Sequence, residues 1–400
     1  MDLKEKALAM HKEWNGKLET IAKSKVNSRE DLAIAYTPGV AEPCKVIAED
    51  KEAAYTYTMK ANTVAVISDG SAVLGLGNIG PYAAMPVMEG KCVLFKEFGD
   101  VNAVPICLDT QDTEEIIATI KNIAPAFGGI NLEDISAPRC FEIEERLKAM
   151  LDIPVFHDDQ HGTAIAALAA LLGALKVVNK KIEDIKVVIN GAGAAGTAIA
   201  KLLLEDGVKA ENMTILNSKG ILFDNGKRDR VQMELIKKTN PENKQGTFAD
   251  AVKGADVLIG CSAPGVFNND ALKTMADKSI VFAMANPVPE IMYEEAEEKG
   301  VYIYGSGRSD MPNQVNNSSV FPGLFRGALD VRARQINEEM KLAAAHALAD
   351  LATQCTLDPK HVVVDVFDKR VPHVVAKAVA EAAIKTGVAR ATELPAQYKD

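Results

Sequence analysis

The sequence is poor in cysteine, and no two of its cysteines form a C-x-x-C pair. The six residues are scattered along the chain, at Cys44, Cys92, Cys107, Cys140, Cys261 and Cys355. This spacing excludes a zinc ribbon and a dithiol redox motif. Scattered thiols are typical of proteins that work in the reducing cytosol.

The chain also lacks an excess of positive charge and a long apolar run. Its 45 Lys and Arg against 55 Asp and Glu give a net charge of -10, which argues against a nucleic-acid surface. The longest uncharged apolar run, at 163–175, is shorter than the ~20 residues that span a bilayer, so it predicts a buried helix. Residues 1–14 are charged and have no apolar signal-peptide core. We therefore expect a cytoplasmic protein with no membrane and no nucleic-acid partner.

What the chain does contain is a regular alternation of strand and helix patterns. The alternation predicts an α/β protein with an N-terminal α/β domain over residues 1–160. A doubly wound, Rossmann-type dinucleotide-binding domain is expected over residues 161–400. Its C-terminal part is predicted to be helical, at 331–353 and 372–386. The boundary is expected near 160–180, beside the apolar helix.

A glycine motif follows the first strand of the second region. The segment "IKVVINGAGAAGTAIAKLLL" at 185–204 has the pattern strand, G-x-G-x-x-G turn, helix. The three glycines permit a tight turn, backbone approach to a pyrophosphate and close packing of helix on strand. The motif predicts a dinucleotide site, and the alternative is a tight turn with a purely structural role. The residues of the turn are Gly191, Ala192, Gly193, Ala194, Ala195 and Gly196.

A second G-x-G-x-x-G, "GLGNIG" at 75–80, lacks the rest of the dinucleotide pattern. No acidic or polar strand end follows it at the spacing of about 20 residues that a dinucleotide fold needs. We interpret it as a glycine-rich turn that lets the backbone approach a ligand or another segment.

Asn217 occupies the end of the next strand, where an acidic residue would grip the ribose of NAD. A neutral Asn does not repel a 2′-phosphate, and Lys219, Lys227 and Arg228 lie downstream. The pattern therefore favours NADP over NAD. Alternatively these cations are solvated loop charges, and NAD stays open.

Two pairs of acids end two predicted strands. Asp158 and Asp159 follow "IPVFH", and Glu133 and Asp134 lie in "NLEDIS". Ligands of open α/β sheets bind at the carboxyl ends of strands, where four carboxylates would repel one another unless a cation holds them. Oxygen ligands suit Mg²⁺ or Mn²⁺. The alternative is that Asp158 or Asp159 caps a helix beginning near Gly162.

Lys91 is predicted at the start of an apolar strand, where burial would lower its pKa and suit a general base. The alternative is an ordinary surface lysine, and Tyr36 is equally compatible with a packing role. His157 and His161 have the spacing of a zinc pair. We predict that they precede the helix rather than lie on it, which disfavours zinc.

Together these stretches resemble the malic enzymes, and the short prokaryotic form in particular. The resemblance covers nearly the whole chain, in the same order. It is carried by "AYTPGVAEPC", "VLGLGNIGPYAAMPVMEGK", "NLEDI", "FHDDQHGTA", "GAGAAG", "AMANP" and "NQVNNSSVFPGLFRGALD".

The resemblance implies metal-dependent oxidative decarboxylation of L-malate to pyruvate and CO₂ with NAD or NADP. It also implies a homodimer or a higher homo-oligomer, and it makes residues 1–160 the catalytic domain. The site residues that it implies are Tyr36 as general acid, Lys91 as general base with Asp158 beside it, Glu133, Asp134 and Asp159 as ligands of Mg²⁺ or Mn²⁺, and Asn286 and Asn317 at malate and the nicotinamide.

One position departs from the longer malic enzymes. They carry an Arg for a malate carboxylate where this chain has Ala72. The carboxylate must therefore meet other groups, such as the backbone of 75–80, Asn286 or Asn317. A malolactic-type reaction that yields lactate, and a dinucleotide-binding regulator without catalysis, remain alternatives.

Overall fold

The computed structural model describes residues 2–73, 75–267 and 269–399. The strands are β1 (Thr63–Ser68), β2 (Asn102–Cys107), β3 (Gly129–Leu132), β4 (Val155–His157), β5 (Val187–Asn190), β6 (Met213–Asn217), β7 (Gly220–Ile221), β8 (Val257–Gly260), β9 (Ile280–Ala283) and β10 (Ile303–Ser306). The helices are α1 (Leu3–Trp14), α2 (Arg29–Ala35), α3 (Ala41–Glu49), α4 (Ala54–Tyr57), α5 (Gly80–Gly99), α6 (Thr113–Ile123), α7 (Arg139–Met150), α8 (Asp158–Val178), α9 (Ala194–Glu205), α10 (Arg230–Thr239), α11 (Phe248–Val252), α12 (Asn269–Leu272), α13 (Tyr293–Glu298), α14 (Phe321–Asp330), α15 (Glu338–Thr353) and α16 (Val371–Lys385).

The first sheet is parallel, with the strand order β2-β1-β3-β4 in the described part of the chain. Successive residues of β1 face opposite layers. Val64 and Val66 pack with α5, whereas Ala65 and Ile67 pack with α6 and α7. Helices on both faces explain why β1 and β3 are buried along their whole length. The register places the ends of β3 and β4 side by side.

The second sheet has the order β10-β9-β8-β5-β6-β7 in the described residues, and β7 alone is antiparallel to its neighbour. β5 pairs with β6 on one side and with β8 on the other. The chain therefore reverses direction across the sheet at β5, which opens a crevice at the carboxyl end of that strand. The predicted α/β fold with a doubly wound second sheet is confirmed.

α8 connects the two sheets and is the apolar helix that the sequence predicts. It leaves β4 directly and ends at Asn179, which has a left-handed backbone. By length and composition alone this helix could cross a membrane. However, 72% of its apolar window is buried inside the protein, where it packs against α9 and α15. It is therefore a core helix of this fold.

The C-terminal helices complete the core. α14 packs on α5, α15 packs on α8, and α16 packs on both α14 and α15. One cluster of buried side chains runs from Phe95 of the first region to Ile189 of the second and includes Phe325 and Val375 of these helices. The domain boundary at residue 160 stays a prediction. The long C-terminal helix expected from residue 331 begins only at Glu338.

The predicted strand at Lys91 is wrong, because the segment is helical. α5 continues through Pro86 and Gly90. Its buried face recurs at helical spacing, at Ala84, Met88, Lys91, Cys92, Phe95 and Gly99. Burial of this face against β1 and β2 outweighs the poor helix propensity of Pro and Gly.

The predicted start of the apolar helix near Gly162 is also wrong. α8 begins at Asp158, so Asp158, Asp159 and His161 lie in its first turns. The N-cap is His157, and its side chain makes no capping hydrogen bond. Acidic residues are favourable in a first turn because the helix N-terminus carries partial positive charge. Neither aspartate is therefore the N-cap residue.

Candidate active site

Four carboxylates meet where β3 and β4 end. Glu133 and Asp134 follow β3, while Asp158 and Asp159 begin α8. Asp134 has a left-handed backbone, with φ 55°, and its N–H donates to Asp159 Oδ2 at 2.7 Å. One oxygen of each of Glu133, Asp134 and Asp159 lies within 4.8 Å of the others. The structure thus brings together the three acids that the family resemblance assigns to a metal.

Burial raises the pKa of these carboxyl groups. For Asp134, burial together with the charges of Asp159 and Glu133 raises the pKa to about 9. Burial, only partly offset by Lys91, raises the pKa of Asp158 to about 7 and that of Asp159 to about 6. Asp134 Oδ2 and Asp158 Oδ1 have no hydrogen-bond partner among the described residues. A buried acidic cluster of this kind is stabilised by a cation.

Lys91 is buried beside these acids. Its Nζ lies 2.9 Å from Glu133 Oε1 and donates to Asp158 Oδ2. The ammonium also sits 4.0 Å from the centre of the Phe321 ring. Burial lowers the pKa of Lys91, but Asp158 and Glu133 outweigh burial and raise the pKa above its ordinary value. The expected lowering of this pKa is therefore wrong, because the surroundings are acidic as well as apolar.

The G-x-G-x-x-G turn has the geometry of a dinucleotide cradle. A Cβ at Gly191 would lie 2.6 Å from the Cys261 carbonyl oxygen, and one at Gly196 would lie 1.8 Å from that of Gly191. Both positions therefore require glycine. A Cβ at Gly193 would meet nothing within 4 Å, so space remains open where a pyrophosphate would lie. The Ala192 carbonyl accepts a hydrogen bond from Gln232 Nε2 at 3.0 Å, which fixes the turn.

In the described residues, the side chain of Asn217 at the end of β6 makes no contact with the charged groups of the downstream cations. Asn217 Oδ1 accepts the backbone N–H of Lys219 at 2.8 Å. Arg228 Nε donates to the Phe223 carbonyl at 3.0 Å, and Lys227 is exposed. These contacts do not favour either dinucleotide, and the preference for NADP stays a prediction.

A cleft of about 900 Å³ separates the carboxyl edges of the two sheets. The acidic cluster and Lys91 line one side. Ala194 and Ala195, at the start of α9, line the other side together with Asn286 and Asn317. The metal-type cluster, the dinucleotide turn and both predicted asparagines thus share one cavity.

Glycines allow the cleft side chains to pack closely. A Cβ at Gly307 would lie 2.2 Å from Asn286 Nδ2. A Cβ at Gly162 would lie 1.8 Å from Asp158 Oδ1 and 3.1 Å from Asn317 Cβ. In the turn at 75–80, a Cβ at Gly75 would lie 2.6 Å from the Asn286 carbonyl oxygen. That turn therefore approaches another segment of the protein, as the sequence interpretation allows.

Tyr36 is the one predicted catalytic residue that lies apart. It follows α2, its side chain is 67% exposed, and it does not line the cleft. Within one chain the structure does not bring Tyr36 and Lys91 together.

Sequence reasoning missed Glu144, which holds the start of α8. This buried carboxylate accepts the His157 backbone N–H at 3.0 Å and lies 2.8 Å from His161 Nε2 and 2.9 Å from Lys148 Nζ. The contacts with Lys148 and His161 hold the pKa of Glu144 well below its usual range despite burial. In the sequence, Glu144 looks like any acid of an amphipathic helix. Zinc, which the sequence disfavours, gains no support here, because His161 pairs with Glu144. The prediction that both histidines precede the helix is wrong for His161, which lies on α8.

A second residue that the sequence interpretation missed is Lys17, which also lines the cleft. It stands alone in a charged N-terminal stretch, and no local pattern distinguishes it from its exposed neighbours.

Comparison with known proteins agrees with this geometry. Residues 15–148 match the family model "Malic enzyme, N-terminal domain", and residues 160–384 match "Malic enzyme, NAD binding domain". The "NAD-dependent malic enzyme" of Geobacillus stearothermophilus is 57% identical, over 99% of this chain and 82% of that protein. The "Bifunctional malic/malolactic enzyme" of Bacillus subtilis is 56% identical, over 100% and 98%.

A solved structure shows the same fold at high identity. The malic enzyme from Pyrococcus horikoshii is 52% identical, with a TM-score of 0.93 over 97% of this chain and 92% of that one. With both family models matched across most of the sequence, the chain belongs to the malic enzyme family.

Proposed function

We propose that this chain oxidatively decarboxylates L-malate to pyruvate and CO₂ while it reduces NAD⁺ or NADP⁺, with the help of one divalent cation. One observation carries the proposal. A single cleft holds Lys91 and the acidic cluster on one side and the G-x-G-x-x-G turn on the other. Acid–base groups, oxygen ligands and a dinucleotide cradle in one cavity are the parts that this reaction needs.

The acidic cluster fits a hard divalent cation. Glu133, Asp134 and Asp159 offer only oxygen ligands, which suits Mg²⁺ or Mn²⁺. Asp134 Oδ2 has no hydrogen-bond partner in the described residues, and burial with the neighbouring carboxylates raises the pKa of Asp134 to about 9. Both observations support a cation here, in addition to Lys91. A bound cation would polarise the oxygens of the substrate and stabilise negative charge that develops on them.

The glycine turn fits the pyrophosphate of a nicotinamide dinucleotide. The start of α9, at Ala194 and Ala195, lines the same cleft as the acids, and the space beside Gly193 is open. Asn286 and Asn317 also line this cleft, and they would contact malate and the nicotinamide, which would accept the hydride from C2 of malate. For the choice of dinucleotide we retain NADP as the prediction from Asn217.

Lys91 is proposed as the base that removes the proton of the C2 hydroxyl, and Asp158 as the residue that holds Lys91 in place. The charges of Asp158 and Glu133 raise the pKa of Lys91 above its ordinary value, despite burial. A cation held by Glu133 would offset the charge of that carboxylate, and would thereby lower the pKa of Lys91 toward the range of a general base.

Tyr36 is proposed as the acid that returns a proton to C3 after CO₂ has left, acting in the cleft of a second copy of the chain. Residues 2–62 contain no buried side chain. Apolar side chains of that stretch, such as Leu8, Ile21 and Ile34, are more than two-thirds exposed. A segment of this length gains stability only against another surface. A homodimer would supply that surface and place Tyr36 beside Lys91 of its partner.

One observation supports the malolactic reaction as a second candidate. The Bacillus subtilis relative is named for both malic and malolactic activities. The two reactions differ in net product. Oxidative decarboxylation accumulates reduced dinucleotide and pyruvate, whereas the malolactic reaction accumulates lactate. The six free cysteines are consistent with a cytoplasmic site of action, which we also propose.

The first experiment follows the absorbance of NADH or NADPH with purified protein, L-malate, Mn²⁺ and either dinucleotide. We expect pyruvate and reduced dinucleotide, and loss of both when a chelator is added. Lactate without net reduction would support the malolactic reaction. Dinucleotide binding without any product would support the alternative of a dinucleotide-binding regulator without catalysis.

Asp159→Asn tests the metal assignment separately from turnover. Loss of one carboxylate ligand should weaken Mn²⁺ binding by at least about tenfold, measured by calorimetric titration. Asp184→Asn, an exposed acid far from the cluster, is the matched control. Equal Mn²⁺ affinity of the Asp159 variant and the wild type would remove Asp159 from the metal site.

A further inference from the structure

The charges of the cleft do not balance for a substrate with two carboxylates. Glu133, Asp134, Asp158 and Asp159, when ionised, exceed the charge of Lys91 plus one divalent cation by one negative unit. Malate would add two more negative charges. Ala72, which also lines the cleft, supplies no charge of its own. Like charges in a poorly solvated cleft repel strongly, so malate needs another cation.

Lys17 brings a cation to this cleft from the N-terminal segment. Gly16 has φ 104°, a left-handed turn that directs the next residue back onto α5. The Lys17 backbone N–H donates to Glu89 Oε2 at 3.2 Å, and Lys17 Nζ donates to the Pro86 carbonyl at 2.6 Å. A Cβ at Gly90 would lie 3.6 Å from Lys17 Nζ. The ammonium therefore rests on α5 directly beside the residue that precedes Lys91.

The Lys17 ammonium has capacity left for a ligand. An ammonium has three donors, and the Pro86 carbonyl takes one of them. In the described part of the chain, no carboxylate oxygen lies within ion-pair distance of Lys17 Nζ. Partial burial lowers the pKa of Lys17, with Glu89 opposing the change. A partly desolvated ammonium binds an incoming carboxylate more strongly than a fully hydrated one.

The other basic side chains of the cleft already have partners in the described residues. Lys91 pairs with Glu133 and Asp158. His11 also lines the cleft, but its Nδ1 lies 2.8 Å from the Ala7 carbonyl oxygen of its own helix. Lys17 is thus the described cleft cation that remains available to an anion.

We propose that Lys17 binds a carboxylate of malate and supplies the positive charge that is missing at Ala72. The assignment rests on the proposed function, because it states how the substrate of that reaction is held. It makes Lys17 a determinant of substrate affinity. The acid–base roles of Lys91 and Tyr36 are unaffected.

Replacement of Lys17 tests this role through KM and kcat. In Lys17→Met, which keeps the aliphatic stem, we expect the KM for malate to rise about 10- to 100-fold, the range for a lost charge-assisted hydrogen bond. The kcat and the KM for the dinucleotide should change less than about threefold. Lys17→Arg should restore most of the malate affinity. Lys23→Met, on the same segment but outside the cleft lining, should behave as wild type.

Lys17→Gln separates charge from structure. It keeps a hydrogen-bond donor near Pro86 but carries no charge, so its malate KM should resemble that of Lys17→Met. Raised ionic strength should increase the wild-type KM more than that of either variant, because salt screens an ammonium–carboxylate contact. An unchanged malate KM in Lys17→Met, or wild-type affinity in Lys17→Gln, would overturn the proposal.

Calorimetric titration of malate, with Mn²⁺ and dinucleotide present, distinguishes failure of the proposed reaction from failure of the proposed role of Lys17. If the wild type binds malate without turning it over, the proposed reaction fails, and the affinity of Lys17→Met still decides the role of Lys17. If the wild type neither binds nor turns over malate, both proposals fail.

Discussion

Lys341 shows that a buried charge in this protein can be structural rather than catalytic. It lies on α15, outside the cleft, and is 4% exposed. Its Nζ donates to Glu338 Oε1 and lies 3.3 Å from His161 Nδ1. Burial lowers the pKa of Lys341, and Glu338 only partly opposes the shift. Removal of this ammonium from water therefore costs stability at neutral pH.

The sign of this pKa shift predicts a pH dependence of stability. Between the lowered folded pKa and the ordinary value of 10.5, the unfolded chain binds more protons than the folded chain. Wild-type stability should therefore gain from Lys341 as pH rises through that window. Lys341→Met, which lacks the cost, should be more stable than wild type by ~1 kcal/mol at pH 7, with a smaller difference at pH 9.5.

Urea unfolding at both pH values measures the difference. Lys45→Met removes an exposed lysine that also pairs with a glutamate, and serves as the control. A difference between Lys341→Met and wild type that stays constant with pH would contradict the proposed cost of burial.

At the scale of residues, sequence reasoning located groups better than it assigned their charge states. The sequence predicts that four acids meet, because adjacent parallel strands end at one edge of a sheet. These acids are Glu133, Asp134, Asp158 and Asp159. The direction of the pKa shift of Lys91 could not be predicted in this way. It depends on which acids face the amine across two elements, and apolar neighbours in sequence carry no information about them.

At the scale of elements, α8 links the cleft to the core. Its first turn carries Asp158 and Asp159, whereas its later residues pack against α9 and α15. Gly162 lies between these parts, with Asp158 and Asn317 in the space that a side chain would occupy. Gly173, farther along the helix, is similarly enclosed by the Val362 backbone. The two glycines therefore form a natural pair for comparison.

Gly162→Ala should damage catalysis more than stability. The added methyl group would displace the Asp158 carboxylate, so Lys91 should lose one of its two ion-pair partners and kcat should fall by about 10- to 1,000-fold. Gly173→Ala should lower the free energy of unfolding by ~1–3 kcal/mol through overpacking, with a kcat close to wild type in the folded fraction. Steady-state kinetics and urea unfolding of both variants check the contrast. Equal kinetic losses in the two would show that the effect is not local to Asp158.

The helices also show where sequence patterns lose information about elements. α9 was predictable because a strand and a glycine turn precede it. The sequence predicts a strand at Lys91, within α5, because an apolar run begins there, and only packing against β1 and β2 reveals the buried helical face. The start of α8 at Asp158 was obscured by the tendency of aspartate to serve as an N-cap.

At the scale of the whole molecule, the N-terminal segment is long but packs little against the rest of its own chain. Helices α1 to α4 bury no residue, although the rest of the fold is built on extensive cores. No single-chain pattern could predict the place of Tyr36, since its proposed partner lies on another copy. Contacts between copies of a chain leave little trace in the pattern of a single sequence, so quaternary structure is hard to predict from it.

Complementation tests the shared site. Tyr36→Phe and Lys91→Ala should each be nearly inactive, because each lacks one member of the proposed acid–base pair. Mixed dimers formed by refolding the two variants together should contain one intact site, with Lys91 from one chain and Tyr36 from the other. About a quarter of wild-type activity should return, because half of the dimers are mixed and one of their two sites works.

The control mixture combines Lys91→Ala with the double variant that carries both substitutions, and it should stay inactive. Absence of activity in the first mixture, with mixed dimers shown to form, would place both residues of the pair in one chain.

The two sheets carry different groups of the cleft, which has a practical consequence. The acids and Lys91 belong to the first sheet and to the helices at its edge, while the phosphate turn and Asn217 belong to the second. In the proposed function, the groups that break bonds and the residue proposed to select the dinucleotide therefore lie in separate stretches of the chain. Redesign of the hairpin after β6 should then change which dinucleotide the enzyme reduces, while the proposed decarboxylating groups stay in place.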